Sequence, residues 1–451
     1  MRWLAAFLLF LGVPALAAPE PVASVTVVRS GDKWTADYTL HERAPLWLFA
    51  KSILPRESST SWRVGSVHVL TPGIRLQRIG NYDALVPRRS AMPRKVRISF
   101  KPYVKDVEAG YDPALAFSDG SVALYADQFS IQPMPSLAAA RAADRDDATL
   151  PTADRPTRMT LIDRAGPLLF KGQRTARAAL TDGAAYVLFG KAQPVIGPAM
   201  TTIIDPAMPR WIADALNSDM PRILQHYRDQ LGPSPVGQPT LLASWAGQTK
   251  GVTSLGGSVL PGMVVMTLEG EGITQPNEQA RHHARWFVAH EAAHFWLGQA
   301  VSYATPADSW ITEGGADLLA FRATAATDPS YDVKKRLSDA RAECLPFLPN
   351  GGIADAYRRQ GDFRAYYACG AIIALAAERA SKGHFAEFVR TLIARHGADG
   401  IVTRAEWLAL LDERAAGLSS AVTELLDKPH PDAKAALDAF IQRAAIGGEV
   451  L

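Results

Sequence analysis

Residues 277–298 read NEQARHHARWFVAHEAAHFWLG, and residues 310–320 read WITEGGADLLA. The first stretch carries His290-Glu291-Ala292-Ala293-His294 behind Asn277, a good N-cap, so the spacing predicts a helix bearing the motif. Residues i and i+4 lie about 40° apart around a helix and one turn along it, so both imidazoles face one point. Imidazole suits zinc, and a catalytic zinc wants three protein ligands with a fourth position open. Glu313 is the candidate third ligand, separated from His294 by the eighteen residues 295–312. Asp317 follows one turn later, where its carboxylate can accept the outer N–H of a ligating histidine and fix the tautomer. One zinc per chain is the expectation.

Away from the motif, the hydrophobic period changes along the chain. From Val22 to Gln132 short β-rich runs recur between turn signals, among them VASVTVV, KWTADYTL, KVRISFKPYV and SVALYADQF. They read as an antiparallel sandwich or saddle. Residues 134–157 are rich in Ala, Asp, Arg and Pro without an apolar period and read as an exposed excursion. Strand-like text resumes at MTLIDRAGPLLF and ends in AAYVLFG, which puts the end of the first domain near Pro198. WIADALNSDMPRILQHYRDQL has helical spacing and precedes a strand, PTLLASW. From Asn277 nearly everything reads as helix, including the Thr403-Arg404-Ala405-Glu406 capping box.

Composition narrows the class. The 451 residues carry 48 Lys+Arg against 45 Asp+Glu, a net charge of +3. That is too small for a polyanion-binding field and excludes nucleic acid as the expected partner. Arg2, the apolar run Trp3 to Val13 and Ala15-Leu16-Ala17 have the layout of a secretory signal peptide, with the mature chain beginning near Ala18. The run is about half of the roughly 20 residues that a bilayer crossing needs, so no membrane span is expected after cleavage. A periplasmic or secreted location follows. Cys344 and Cys369 both fall on predicted helices; in an oxidising compartment they either pair or remain two buried thiols. His282 and His283 sit two turns before His290 and read as solvent-facing or supporting residues.

HEAAHFWLG followed by WITEGGADLLA resembles the zinc region of gluzincin peptidases, specifically the membrane alanyl aminopeptidase family. Its pattern is H-E-x-x-H, eighteen residues, then Glu in a W-x-x-E-G context. The resemblance covers roughly residues 155–410 and implies that His290, His294 and Glu313 bind zinc while Glu291 acts as general base. The family's Y-x-x-G-A tyrosine, which hydrogen-bonds the oxyanion, matches Tyr367-Ala368-Cys369-Gly370-Ala371, with Tyr366 one residue off register. One motif departs. The family recognises a free α-amine with the glutamate of G-A-M-E-N, and here Val259, after Gly257 and Ser258, stands where that glutamate belongs. The strand can still pair its backbone with an extended peptide. Glu269 and Glu271 lie nearby and read as solvated turn residues.

The expected protein is therefore α+β and multidomain: a signal peptide (1–17), an N-terminal antiparallel β-sandwich or saddle domain (18–198), a thermolysin-like zinc-binding lobe (199–330) and a helical C-terminal lobe of the catalytic region (331–451). The expected function is a secreted zinc metallopeptidase acting on peptide or protein substrates and not a strict aminopeptidase. The alternatives are an aminopeptidase with a substituted amine-recognition site and a non-catalytic zinc-containing binding module.

Overall fold

A computed structural model describes residues 20–447, apart from 50–53, 56–57, 90, 106, 108–110, 146–154, 182 and 360–361. The expected signal peptide lies outside the described residues. Two compact units are formed: one from residues up to Ala114 with Leu124–Leu168 and Thr175–Val187, the other from Leu115–Ala123, Leu169–Arg174 and Leu188 onward. No helix among the described residues is long and apolar enough to cross a membrane.

The first unit contains two sheets, and in the six-stranded one the strands alternate buried and less buried positions. Ala23–Ser30 and Lys33–Leu40 form a hairpin in which Ser30 pairs with Lys33 across Gly31-Asp32, and Gly31 takes the positive φ (57°) such a two-residue turn needs. Their apolar residues fall on one face, as period-two text dictates. The six-stranded sheet is not purely antiparallel, because Ala23–Ser30 also pairs in parallel with Thr157–Asp163. Parallel partners need a long crossover, and more than a hundred residues separate these two. The alanine-rich excursion also differs from its reading. Leu137–Arg145 is a helix, and Ala140 and Ala143 are buried against Leu46, Tyr82 and Met134. Alanine has the highest helix propensity, and small side chains let the helix lie close without a large apolar stripe.

In the second unit, a five-stranded sheet runs in the order Val195–Ile196, Thr201–Ile204, Thr240–Trp245, Met263–Glu269, Ser254–Leu260. The inner pairs are parallel, and the last strand returns antiparallel through the Pro261-Gly262 turn. Helices follow: the motif helix Glu278–Ala293, the glutamate helix Trp310–Thr327, then Val333–Cys344 and the tyrosine helix Ala365–Ala380. Asn277 caps the motif helix by accepting from the Ala280 N–H at 2.8 Å, and Thr403 with Glu406 forms the reciprocal capping box. Cys344 and Cys369 are joined in a disulfide between the end of Val333–Cys344 and the tyrosine helix. Closing a loop of 25 residues removes unfolded-state entropy worth about 3 kcal/mol.

The glutamate and tyrosine helices cross where Gly314 meets Gly370. A Cβ added at Gly314 would lie 2.1 Å from the Gly370 carbonyl carbon, and one at Gly370 would lie 2.9 Å from the Gly314 Cα. Both obstacles are backbone and cannot rotate away. Alanine would gain about 1 kcal/mol of helix propensity, but overpacking against backbone costs about 3 kcal/mol or more. Gly314→Ala is thus expected to lose about 2 kcal/mol in denaturant melts at unchanged m-value. Gly237→Ala, where nothing lies within 4 Å of the added carbon, should stay within about 0.5 kcal/mol.

Candidate metal centre

The motif helix, fixed at its start by Asn277, turns His290 and His294 to one side. Both rings are buried. His290 Nδ1 lies 2.9 Å from Asp317 Oδ1, and His294 Nδ1 lies 2.9 Å from the Leu297 carbonyl oxygen. A carbonyl only accepts, so the His294 proton sits on Nδ1, and the Asp317 carboxylate calls for the same tautomer in His290. The lone pairs of both Nε2 atoms then face each other at 3.1 Å. Glu313 Oε2 joins them at 3.4 Å from His290 Nε2 and 3.5 Å from His294 Nε2. This oxygen is buried without a hydrogen-bond partner.

Three electron-rich atoms converging in a buried spot repel unless a cation or protons sit between them. Burial works against charge on His290, yet its contacts with Asp317 and Glu313 push its pKa up to about 10. For Glu313, burial is outweighed by His294 and His290, which hold the carboxyl well below the usual range. Both shifts express a demand for positive charge. The dimensions identify what fits. A tetrahedral ion with bonds of about 2.05 Å has ligand-to-ligand edges of about 3.3 Å, and the observed edges are 3.1, 3.4 and 3.5 Å. The two imidazoles and one carboxylate form a donor set that suits zinc. His290, His294 and Glu313 form the single metal-ligand cluster found among the described residues.

Glu291 is on the same helix and buried; burial raises its carboxyl pKa while the two histidines pull it down. Tyr367 stacks on His290 with ring centroids 5.5 Å apart and planes inclined by 23°. Burial, with Glu313 and Glu291 nearby, holds its hydroxyl protonated well above the ordinary range, so it is a donor at neutral pH. Tyr366 belongs to the core instead: its hydroxyl donates to Ala354 O at 3.0 Å and accepts from Tyr357 N at 3.1 Å. Of the two adjacent tyrosines, Tyr367 is the one whose ring reaches His290.

Gly257, Ser258 and Val259 lie on the last strand of the sheet, paired with Met266, Val265 and Val264. A Cβ at Gly257 would meet Phe287 Cζ at 2.8 Å, so glycine there lets the strand approach the motif helix one turn before His290. Val259 is half-buried against the core. Glu269 pairs with Ser254, about 17 Å along the strand from the Val264 pairing. It accepts from Thr249 Oγ1, and Glu271 accepts from Gly251 N at 3.1 Å. Both carboxylates hold the loop before the strand. His282 is anchored by Ser330 Oγ at 3.0 Å, and neither it nor His283 joins the metal cluster. Two contributors escaped the sequence reading. The Leu297 carbonyl had no signal, since a backbone acceptor leaves none. Arg364 lies over the Tyr367 ring, its guanidinium carbon 5.2 Å from the centroid, and its position one turn before Tyr367 was a readable cue.

Neither a comparison with protein-family models nor one with curated proteins finds a match. Solved structures do match. An aminopeptidase N family protein from Idiomarina loihiensis is similar at a TM-score of 0.62 and 12% identity, over 90% of this chain and 76% of that one. An M1 zinc metallopeptidase from Deinococcus radiodurans is similar at 0.50 and 17%, over 90% and 92%. Leukotriene A4 hydrolase from Saccharomyces cerevisiae is similar at 0.52 and 14%, over 91% and 68%. The chain thus has the two-domain fold of the M1 zinc metallopeptidases, the class to which its gluzincin-like motif pointed.

The geometry makes Asp317 a test of the centre. Asp317→Asn loses the charged acceptor that orients His290, and zinc affinity is expected to fall 10- to 100-fold in competition with a chromophoric chelator. Unchanged affinity would show that His290 needs no such support.

Proposed function

We propose that the chain is a zinc-dependent peptidase, exported to the periplasm or beyond, that hydrolyses peptide bonds without requiring a free N-terminal amine. The observation that carries the reading is the convergence of His290 Nε2, His294 Nε2 and the unpartnered Glu313 Oε2 at separations that three ligands of one zinc ion would have, with Glu291 and Tyr367 beside them. His290, His294 and Glu313 would hold the zinc, which when bound would lower the pKa of a water to about 7 and polarise the scissile carbonyl. Glu291, in its buried place on the motif helix, takes the proton from the attacking water and hands it to the departing amine. Tyr367, kept protonated by its surroundings, donates a hydrogen bond to the oxyanion. Asp317 and the Leu297 carbonyl hold the two histidines in the tautomer that leaves Nε2 free to ligate.

The strand Ser254–Leu260 ends its sheet and can take an extended peptide by main-chain pairing. Val259 offers no partner to an ammonium, and Glu269 and Glu271 are engaged elsewhere. A desolvated ammonium without a carboxylate loses hydration and gains little. Export agrees with the Cys344–Cys369 disulfide, since such bonds persist in oxidising compartments. A structural zinc module would need neither Glu291 nor Tyr367 and would close the fourth position with protein.

Glu291→Gln is expected to keep zinc and fold while losing at least about 100-fold in rate, and Tyr367→Phe to lose roughly 100-fold at unchanged zinc content. Near-normal turnover in the first variant would remove Glu291 from the mechanism. Matched peptides test the substrate's end: acetylated ones should be cleaved at least as fast as free ones. A preference for the free amine of about tenfold, worth roughly 1.4 kcal/mol, would replace this reading with an aminopeptidase one.

A further inference from the structure

Aromatic side chains continue along the motif helix from His290 toward the helix start. Trp286 lies one turn before His290, ring centroids 5.8 Å apart, and His283 one turn earlier rests on Trp286 at 5.3 Å. Beside them is a cavity of about 520 Å³ whose walls include Trp286, Tyr331, His283 and Arg336. Arg336 lies 5.8 Å from the Trp286 ring centroid, and its Nη1 is 3.3 Å from Asp339, which also binds Lys335 at 2.8 Å. The remaining acids on the wall are Asp332, whose side chain caps the helix Val333–Cys344, and Glu278 in the exposed first turn of the motif helix.

Arg364 is near both Tyr367 and the cavity-lining His283. Its guanidinium lies over the Tyr367 ring, and His283 lies in the electrostatic field of both Arg364 and Arg336. Nε and Nη2 of Arg364 both bond one oxygen of Glu343, at 3.3 and 2.9 Å, leaving Nη1 without a partner among the described residues. That pair is 41% and 42% exposed, and an exposed pair of this kind contributes little to stability. A half-exposed arginine over the ring of the proposed oxyanion donor, with an Nη1 not engaged by Glu343, is suited to a planar anion.

We propose that Arg364 is a specificity-determining residue that binds a substrate carboxylate on the leaving-group side of the scissile bond. The inference rests on the peptidase reading above. If the strand Gly256–Val259 takes the N-terminal side of the peptide, the segment beyond the scissile bond passes Tyr367 and meets Arg364. An extended chain advances about 3.4 Å per residue, so the recognised group belongs to a residue about one to three positions past the reacting carbonyl. With no carboxylate at Val259 to select a substrate's ammonium end, this site selects by the other end. The carboxylate comes from the C-terminus or from an acidic side chain, and the test separates them.

Three peptides of one acetylated sequence serve as probes: a free C-terminal acid, its amide, and the amide with Glu as last residue. Zinc-loaded enzyme is assayed for KM and kcat, and Glu291→Gln is titrated with the same peptides by calorimetry, which reads binding even without turnover. The free acid is expected to exceed its amide by tenfold or more in kcat/KM, carried by KM. Arg364→Gln should bring the acid down to the level of its amide, and Arg364→Lys should keep part of the preference. If the Glu amide matches the free acid through Arg364, the site stands and its source includes side chains. Equal binding of acid and amide, or a preference that survives Arg364→Gln, overturns the proposal while leaving the peptidase reading intact. Preferential binding of the acid to Glu291→Gln, with no hydrolysis by the zinc-loaded enzyme, would do the reverse.

Discussion

The contact between Gly314 and Gly370 is the constraint on which the centre depends. Two helices approach here until backbone meets backbone, and the residues flanking the contact are those to which the proposed chemistry is assigned. Glu313 precedes one glycine and Tyr367 lies one turn before the other. A side chain at either glycine would separate the helices and carry Glu313 away from the histidines, or Tyr367 off the face of His290. The distances of the metal site are thus set in part by backbone packing at the residue next to Glu313. The motif helix contributes its pair by a fixed local period, but the third ligand arrives through tertiary fit.

Around that contact the polar groups are arranged so that each outer atom is satisfied and each inner one is not. Asp317 and the Leu297 carbonyl occupy the Nδ1 sides of the histidines, which leaves both Nε2 atoms and Glu313 Oε2 facing inward with surplus electron density. In a folded chain such a cluster is unfavourable by itself. It persists because the surrounding core, including Trp296 and Trp310, holds the helices in place. An ion relieves the repulsion, so the free energy of metal binding is partly stored in advance by the rest of the fold.

The legible parts of this protein were those governed by local periods. The i, i+4 histidine pair, the Asn277 cap and the Thr403–Glu406 box lie within a turn of one helix, and spacing alone places them. The strand and helix text around residues 211–245 also read directly, because each run is long enough to show its period. What could not be read depends on distant partners. The parallel pairing of Ala23–Ser30 with Thr157–Asp163 joins segments far apart in the chain, and the burial of Ala140 and Ala143 depends on neighbours from other strands. The choice between Tyr366 and Tyr367 is of the same kind: adjacent aromatics on a helix differ by about 100° in direction, and only the packed core says which one points at His290. Glu269 and Glu271 read as solvated turn residues; Glu271 is exposed and Glu269 partly so, and each also accepts a hydrogen bond from the preceding loop, which the sequence did not signal.

The Cys344–Cys369 bond ties this geometry to the conditions of manufacture. Cys369 lies between Tyr367 and Gly370, so the covalent link fastens the tyrosine helix within one residue of the glycine crossing. A chain produced in a reducing cytoplasm would carry two thiols there, and the helix would be held by packing alone. Preparations with the same sequence and the same metal content could then differ in how firmly Tyr367 is seated. Oxidation state is therefore part of the definition of the folded molecule, to be checked in each batch alongside its mass.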